Sequence, residues 1–270
     1  MADEDPYLLG YRHAEQDRLE RQAVELAGES ARLFDEIGVR AGWRAVEMGC
    51  GPRGCLDLLA ARVGAAGRVV GVERSGEQVA RARRFVADHG LANVEVREGD
   101  ARATGLAPAS FDLATARLVL VNVPEPEEIA AEMVRLVRPG GWVALHEPDV
   151  STQRCDPPLP ASDRLLDLLN EYARRNGIDR AIGVRAPRLL RDLGVRDVRV
   201  HPLVHVYPLG HGRRFLWVEF VENVRARIVE SGIASDAEID ELTGALRRHL
   251  EDPATLVVSS LFLQVYGKVP

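Results

Sequence analysis

Val46-Glu47-Met48-Gly49-Cys50-Gly51-Pro52-Arg53-Gly54 is the stretch on which the reading of this chain turns. An apolar run from Arg44 leads into it, and an amphipathic stretch, Leu56 to Val63, leaves it. A strand that ends in glycines and opens a helix is the ligand-binding turn of a βαβ unit. Glycine tolerates the backbone angles of such a turn and lets a ligand approach the main chain. Read literally, Gly49 to Gly54 is GxGxxG, the fingerprint of a dinucleotide site.

Outward from this turn, short apolar runs alternate with amphipathic stretches. Arg44 to Met48 reads as a strand, and Arg68 to Glu73 as a second, apolar enough to be buried on both faces. Ser75-Gly76-Glu77-Gln78 reads as a capping box whose helix runs to about His89 and stops at Gly90. Asn93 to Glu98 and Phe111 to Ala116 are the third and fourth strands. Pro126 to Val137 is a helix stopped by Pro139-Gly140-Gly141, and Trp142 to Glu147 is the fifth strand. Upstream, residues 12 to 37 read as one helix. Downstream, Leu165 to Arg175, Arg188 to Leu193, Arg213 to Glu230 and Asp236 to Leu250 read as helices, and Val195 to Tyr207 and Leu256 to Val269 as the last two strands.

This alternation predicts an α/β fold: a Rossmann-like, seven-stranded, mostly parallel sheet with helices on both faces and a helical cap. Three parts are expected: an N-terminal helical lid (1–38), a ligand-binding core (39–150), and a C-terminal part (151–270) that completes the sheet and inserts cap helices. Ligands are expected at the carboxyl edge of the strands.

Which ligand the turn takes follows from its chemistry. Pro52 has no amide hydrogen, and a diphosphate at a helix N-terminus needs such donors. Glu47, two residues before the first glycine, repels a diphosphate and suits a ligand bearing an ammonium and a sulfonium. Asp100, after the third strand, can accept from an adenine amino group. Glu73, 19 residues after Gly54, can accept from ribose hydroxyls; nucleotide ligands of both kinds use this feature. A nicotinamide-dependent oxidoreductase is the alternative that the literal GxGxxG keeps open, and a protein of the same fold that binds the cofactor without transferring a group from it, such as a cyclase, is another.

Taken together, Val46 to Gly54, Val72-Glu73, Gly99-Asp100-Ala101, Phe111-Asp112-Leu113 and Leu136-Val137-Arg138-Pro139-Gly140-Gly141 resemble the core of the class I S-adenosylmethionine-dependent methyltransferases. The likeness runs from about residue 40 to 150, and the chain also resembles the small-molecule enzymes of this class related to ubiquinone and menaquinone biosynthesis. One departure is visible: the third glycine stands at 54, where the family carries it at the position of Arg53. The resemblance implies S-adenosylmethionine as cofactor and a small organic methyl acceptor. It implies that Gly49, Cys50 and Gly51 line the methionine portion with Arg117 near it, that Glu73 takes the ribose, and that Asp100 and Ala101 take the adenine; Glu47 and Arg74 are further cofactor-binding candidates. Tyr7 and Gln22, with Arg18-Leu19, are similar to relatives whose N-terminal helix closes over the cofactor.

Methyl transfer from an activated donor needs alignment and exclusion of water, and a base only when the acceptor must lose a proton early. The candidates for that base are His146 and Glu147, at the end of the fifth strand, and His13 on the lid helix. His201 and His205, four residues apart on a strand, share a face but lack a third ligand, so no metal site is expected. Phe215, Trp217 and Phe220 either wall an acceptor pocket or pack in the core.

Bulk properties narrow the partners. A composition of 46% hydrophobic and 28% charged residues is that of a globular domain. The net charge of −6 argues against nucleic acid, and the lack of a long apolar run against a membrane span. The acidic N-terminus lacks the apolar core of a signal peptide. Three cysteines without metal spacing suit a reducing, cytoplasmic setting. Lys268 is the sole lysine among 35 basic residues, which rules out a Schiff-base lysine in a buried pocket. Secondary metabolism is the expected context, and the surface leaves room for a homodimer.

Overall fold

The computed structural model describes residues 13–270, with side chains from Arg18 onward. Tyr7 and the His13 side chain lie outside the described residues. Five parallel strands lead the chain: β1 (Arg44–Met48), β2 (Arg68–Glu73), β3 (Val94–Glu98), β4 (Phe111–Arg117) and β5 (Val137–Asp149). β6 (Arg154–Asp156) and β8 (Leu256–Val258) pair in a separate two-stranded ribbon. β7 (Arg196–Leu203) and β9 (Leu261–Lys268) complete a seven-stranded sheet of order β3-β2-β1-β4-β5-β9-β7. Only β9 runs against its neighbours in that sheet. The order reverses between β1 and β4, and ligands bind beyond the strand ends at such a point.

Alternation along the strands divides the core. Ala45, Val69, Leu113 and Ala144 face α2 (Ala27–Ile37), α3 (Leu56–Val63) and α4 (Gly76–Asp88). Val46, Val70, Ala114 and Val143 belong to the opposite cluster, which α5 (Pro126–Leu136), α6 (Pro160–Arg175) and α7 (Ile182–Asp192) help to fill. Both periodicities of section and face follow from the two-residue repeat of a strand. α8 (Leu216–Glu230) and α9 (Asp236–Glu251) pack with α6 at the carboxyl edge. α1 (His13–Glu25) is separated from α2 by a turn at Leu26, so the expected single helix is two.

Other elements differ from expectation for local reasons. β5 begins at Val137, because Gly140 adopts φ +81° and keeps the Pro139-Gly140-Gly141 segment in the sheet, its amide donating to the Val269 carbonyl. α7 begins at Ile182, ahead of Pro187 and across Gly183. A Cβ at Gly183 would sit 2.6 Å from the Glu147 carbonyl oxygen, so glycine here is what lets α7 lie on the end of β5. The final apolar run breaks into β8 and β9 where Ser259 Oγ takes the His205 amide and donates to the Ser260 carbonyl.

Candidate active site

Two cavities adjoin at the carboxyl edge. The first is lined by Gly49, Gly51, Glu73, Arg74, Asp100, Ala101 and Arg117 among others. The second lies under α8 and is walled by Tyr207, Trp217, Phe220 and Phe262. Leu19 and Gln22 of α1 and Leu118 line both cavities and so form the partition between them.

The first cavity is built from the glycine turn. Gly49, Gly51 and Gly54 have φ of +60°, +57° and +52°, a region costly for any residue with a Cβ. Space adds a second demand at two of them: a Cβ on Gly49 would meet Val119 at 2.7 Å, and one on Gly54 would meet the Glu47 carboxylate at 2.6 Å. That contact explains why the third glycine stands at 54. Glu47 folds beneath the turn and accepts the Cys55 amide at 2.9 Å, satisfying an otherwise orphaned donor at the start of α3. Burial pushes its pKa up to about 7, against the pull of Arg117.

Glu47 and Cys50 are therefore not where the sequence reading put them. Both side chains are buried and line neither cavity; Cys50 lies against Gly71 and Leu56 in the core. Arg117 does line the first cavity while tying the turn to α2, with Nη1 donating to Ser30 Oγ at 2.9 Å and Nη2 to the Gly54 carbonyl at 3.1 Å.

Glu73 closes β2 and accepts the Gly51 amide at 3.0 Å and the Ser75 amide at 2.9 Å. This changes the capping box. Ser75 Oγ accepts from the Gln78 amide as expected, but Glu73 has taken the Ser75 amide that the Gln78 side chain would bind. Gln78 Oε1 is left buried without a hydrogen-bond partner, on the cavity wall. Asp100 is held by Arg102, which donates to both of its oxygens and also reaches Glu125. That pairing keeps the Asp100 carboxyl below its ordinary pKa, with burial opposing.

Of the base candidates, His146 and Glu147 line neither cavity. His146 is 2% exposed and faces the α2 carboxylate Glu29 at 3.7 Å and the edge of Phe262. Burial, reinforced by Arg117, drives its pKa down to about 3. Glu147 is fully buried and accepts the amides of Val119, Leu120 and Val121 at 2.9–3.2 Å. It anchors the segment after β4 that carries Leu118, which itself has φ +58°. His201 lies on β7 and His205 beyond its end, and each meets an acid of α2: Glu36 at 2.8 Å and Glu29 at 2.9 Å. Trp217 and Phe220 wall the second cavity, whereas Phe215 packs against the core. Sequence reasoning missed Gln78 and Arg102 in the first cavity and Tyr207, Arg180, Arg213 and Phe262 in the second. Only Gln78 carried a local signal, its place in the capping sequence. Among the described residues no group of three or more His, Cys, Asp or Glu side chains is placed to hold a metal, and no helix is long and apolar enough to cross a membrane.

Comparison with known proteins bears on the same stretch. Residues 46–145 match the family described as a methyltransferase domain. The chain is 35% identical over 117 residues to the nocamycin O-methyltransferase of Saccharothrix syringae, covering 43% of this chain and 42% of that protein. It is 29% identical over 202 residues to the ubiquinone biosynthesis O-methyltransferase of Paracidovorax citrulli, covering 69% of this chain and 83% of that one. The solved phosphoethanolamine N-methyltransferase 2 of Haemonchus contortus, in complex with S-adenosyl-L-methionine, shares the fold at a TM-score of 0.58 and 18% identity, over 90% of this chain and 52% of that one. The chain spans about half the length of the first curated relatives it matches. The methyltransferase domain matched over residues 46–145, the ubiquinone- and menaquinone-methyltransferase relatives and the sheet order together support a class I S-adenosylmethionine-dependent methyltransferase.

Proposed function

We propose that the protein transfers the methyl group of S-adenosylmethionine to an oxygen, nitrogen or carbon atom of a small organic acceptor. The observation that carries this reading is the pair of cavities divided by one partition. The first cavity fits an adenosyl amino acid: Glu73 offers a carboxylate for ribose hydroxyls, and the orphaned Gln78 Oε1 is an acceptor still to be satisfied. Asp100 and Ala101 would take the adenine, the main chain at Gly49 and Gly51 with Arg117 the amino-acid end, and Arg74 the ribose rim. Gln22, on the shared wall, would close over the cofactor, with Tyr7 further along the lid segment. When bound, S-adenosylmethionine supplies an electrophilic methyl group.

What the chain adds is position and dryness. No His, Asp or Glu among the described residues lines the second cavity, so its walls align the acceptor and exclude water. The partition at Leu118, fixed by Glu147, sets the distance between the two ligands. In this reading α1 is the lid, residues 39–150 the cofactor core, and α6, α8 and α9 the acceptor cap. Similarity to the nocamycin enzyme supports a setting in secondary metabolism, and free Cys50, Cys55 and Cys155 support a reducing, cytoplasmic one.

Calorimetry with S-adenosylhomocysteine and NADH, run in parallel, tests the proposal. Micromolar binding of S-adenosylhomocysteine and none of NADH is expected; the reverse overturns it. Mass spectrometry with a labelled methyl donor then reports transfer as against binding alone.

A further inference from the structure

Three buried arginines line the second cavity, Arg18, Arg180 and Arg213, and a fourth, Arg214, is buried next to Arg213 in the chain. Three have partners. Arg214 donates to the carbonyls of Tyr207, Leu250 and Thr255 at 2.8–3.0 Å and so closes the end of α9. Arg213 pairs with Glu25 of α1. Arg18 donates to Gln22 Oε1 at 2.7 Å and lies over Phe220.

Arg180 differs. The residue lines the cavity and is 8% exposed, yet among the described residues its Nε has no hydrogen-bond partner and no carboxylate pairs with it. Its contact is the face of Trp217, 5.4 Å from Cζ to ring centroid. Burial alone pulls its pKa down to about 10, which still leaves it charged at neutral pH. The fold fixes it there: its carbonyl accepts the Val150 amide at 3.0 Å, and Gly183 lets the start of α7 press on the end of β5. A buried charge without a counter-ion is costly, so folds rarely keep one without a use.

We infer that the acceptor is a carboxylate with a flat apolar body, and that Arg180 is its counter-ion. This rests on the methyltransferase reading of the two cavities. A guanidinium presents two parallel N–H donors that match the two oxygens of a carboxylate. Arg213 is already paired with Glu25, and no Asp or Glu among the described residues lines the chamber, so a carboxylate would meet Arg180 without a competing acid. Trp217, Phe220 and Phe262 supply an aromatic wall for the body of the molecule. Arg180 thereby selects and orients the acceptor.

The test is calorimetric and needs no knowledge of the natural acceptor. Benzoate, 4-hydroxybenzoate, cinnamate and 2-naphthoate are titrated, each against its carboxamide, into full-length protein saturated with S-adenosylhomocysteine and into protein without it. At least one acid should bind the wild type ten-fold or more tightly than its amide. Arg180→Gln should reduce that preference to under two-fold while S-adenosylhomocysteine binds as before, and Arg180→Lys should keep part of it. Should Arg180→Gln fail to fold, Arg180→Lys carries the comparison, with a weakened preference expected. Amides binding as well as acids throughout, a preference that survives Arg180→Gln, or no acid binding at all overturns the inference. Failure to bind S-adenosylhomocysteine overturns the methyltransferase reading instead, and the acid–amide preference is still read in its absence.

Discussion

The two cavities share a wall but are made by different means. The cofactor side is formed by backbone: three glycines with positive φ, strand ends, and carboxylates that tie loop amides together. The acceptor side is formed by side chains, aromatic and arginine, carried on helices that arrive late in the chain. Backbone geometry restricts residue type sharply, since few residues fit a positive φ or a closed helix end. Side-chain walls do not, because many residues can fill the same space. The first cavity is thus constrained to one class of ligand, and the second is free to diverge.

Substitutions in each half should keep to that half. The largest effect is expected at Gly54→Ala. A Cβ would enter the Glu47 carboxylate at a φ of +52°, so unfolding free energy should fall by roughly 3 kcal/mol in urea titrations and S-adenosylhomocysteine binding should be lost. Glu73→Ala comes next. It removes the acceptor for two loop amides as well as the proposed ribose contact, and at about 1.5–3 kcal/mol per charge-assisted bond the loss of affinity should be roughly 100-fold by calorimetry. An unchanged affinity would take Glu73 out of the site. Phe220→Ala should raise the KM for the acceptor several-fold and leave S-adenosylhomocysteine affinity within two-fold; parallel losses would mean that the cavities are not separable.

The smallest kinetic effect is expected at His146. It lines neither cavity, so His146→Gln should keep kcat within about two-fold, and a large drop would restore it as a base. Its effect belongs to stability. Because its pKa is depressed in the folded chain, the stability it contributes is complete above pH 6.5 and is lost as pH falls toward 3. Between pH 7 and pH 5 the wild type should therefore lose on the order of 1–2 kcal/mol more than His146→Gln in urea unfolding.

The same contrast governs how much could be read from residues alone. β1 and β2 were legible to the residue, because buried parallel strands are apolar runs cut off by glycine and acid. Gly49, Gly51, Glu73 and Asp100 could be set along one edge from their spacing in strand–turn–helix units, and all four line the first cavity. Glu47 was misread: its charge was visible, but not that the α3 amide would claim it. His146 and Glu147 were correctly set at the end of β5, yet the direction of each side chain depends on α2 and on the loop after β4, which spacing does not encode. Arg180 was illegible. In a chain whose basic residues are nearly all arginine, nothing local marks the one that folds inward without a partner.

Leu19 and Gln22 touch both compartments, one turn of α1 apart. A change at either position is felt by two ligands at once, so donor and acceptor affinities cannot drift independently there. Positions such as Phe220 and Leu216, which face the acceptor alone, carry no such double duty. Diversification toward new acceptors would accordingly accumulate on α8 and leave this pair on α1 unaltered.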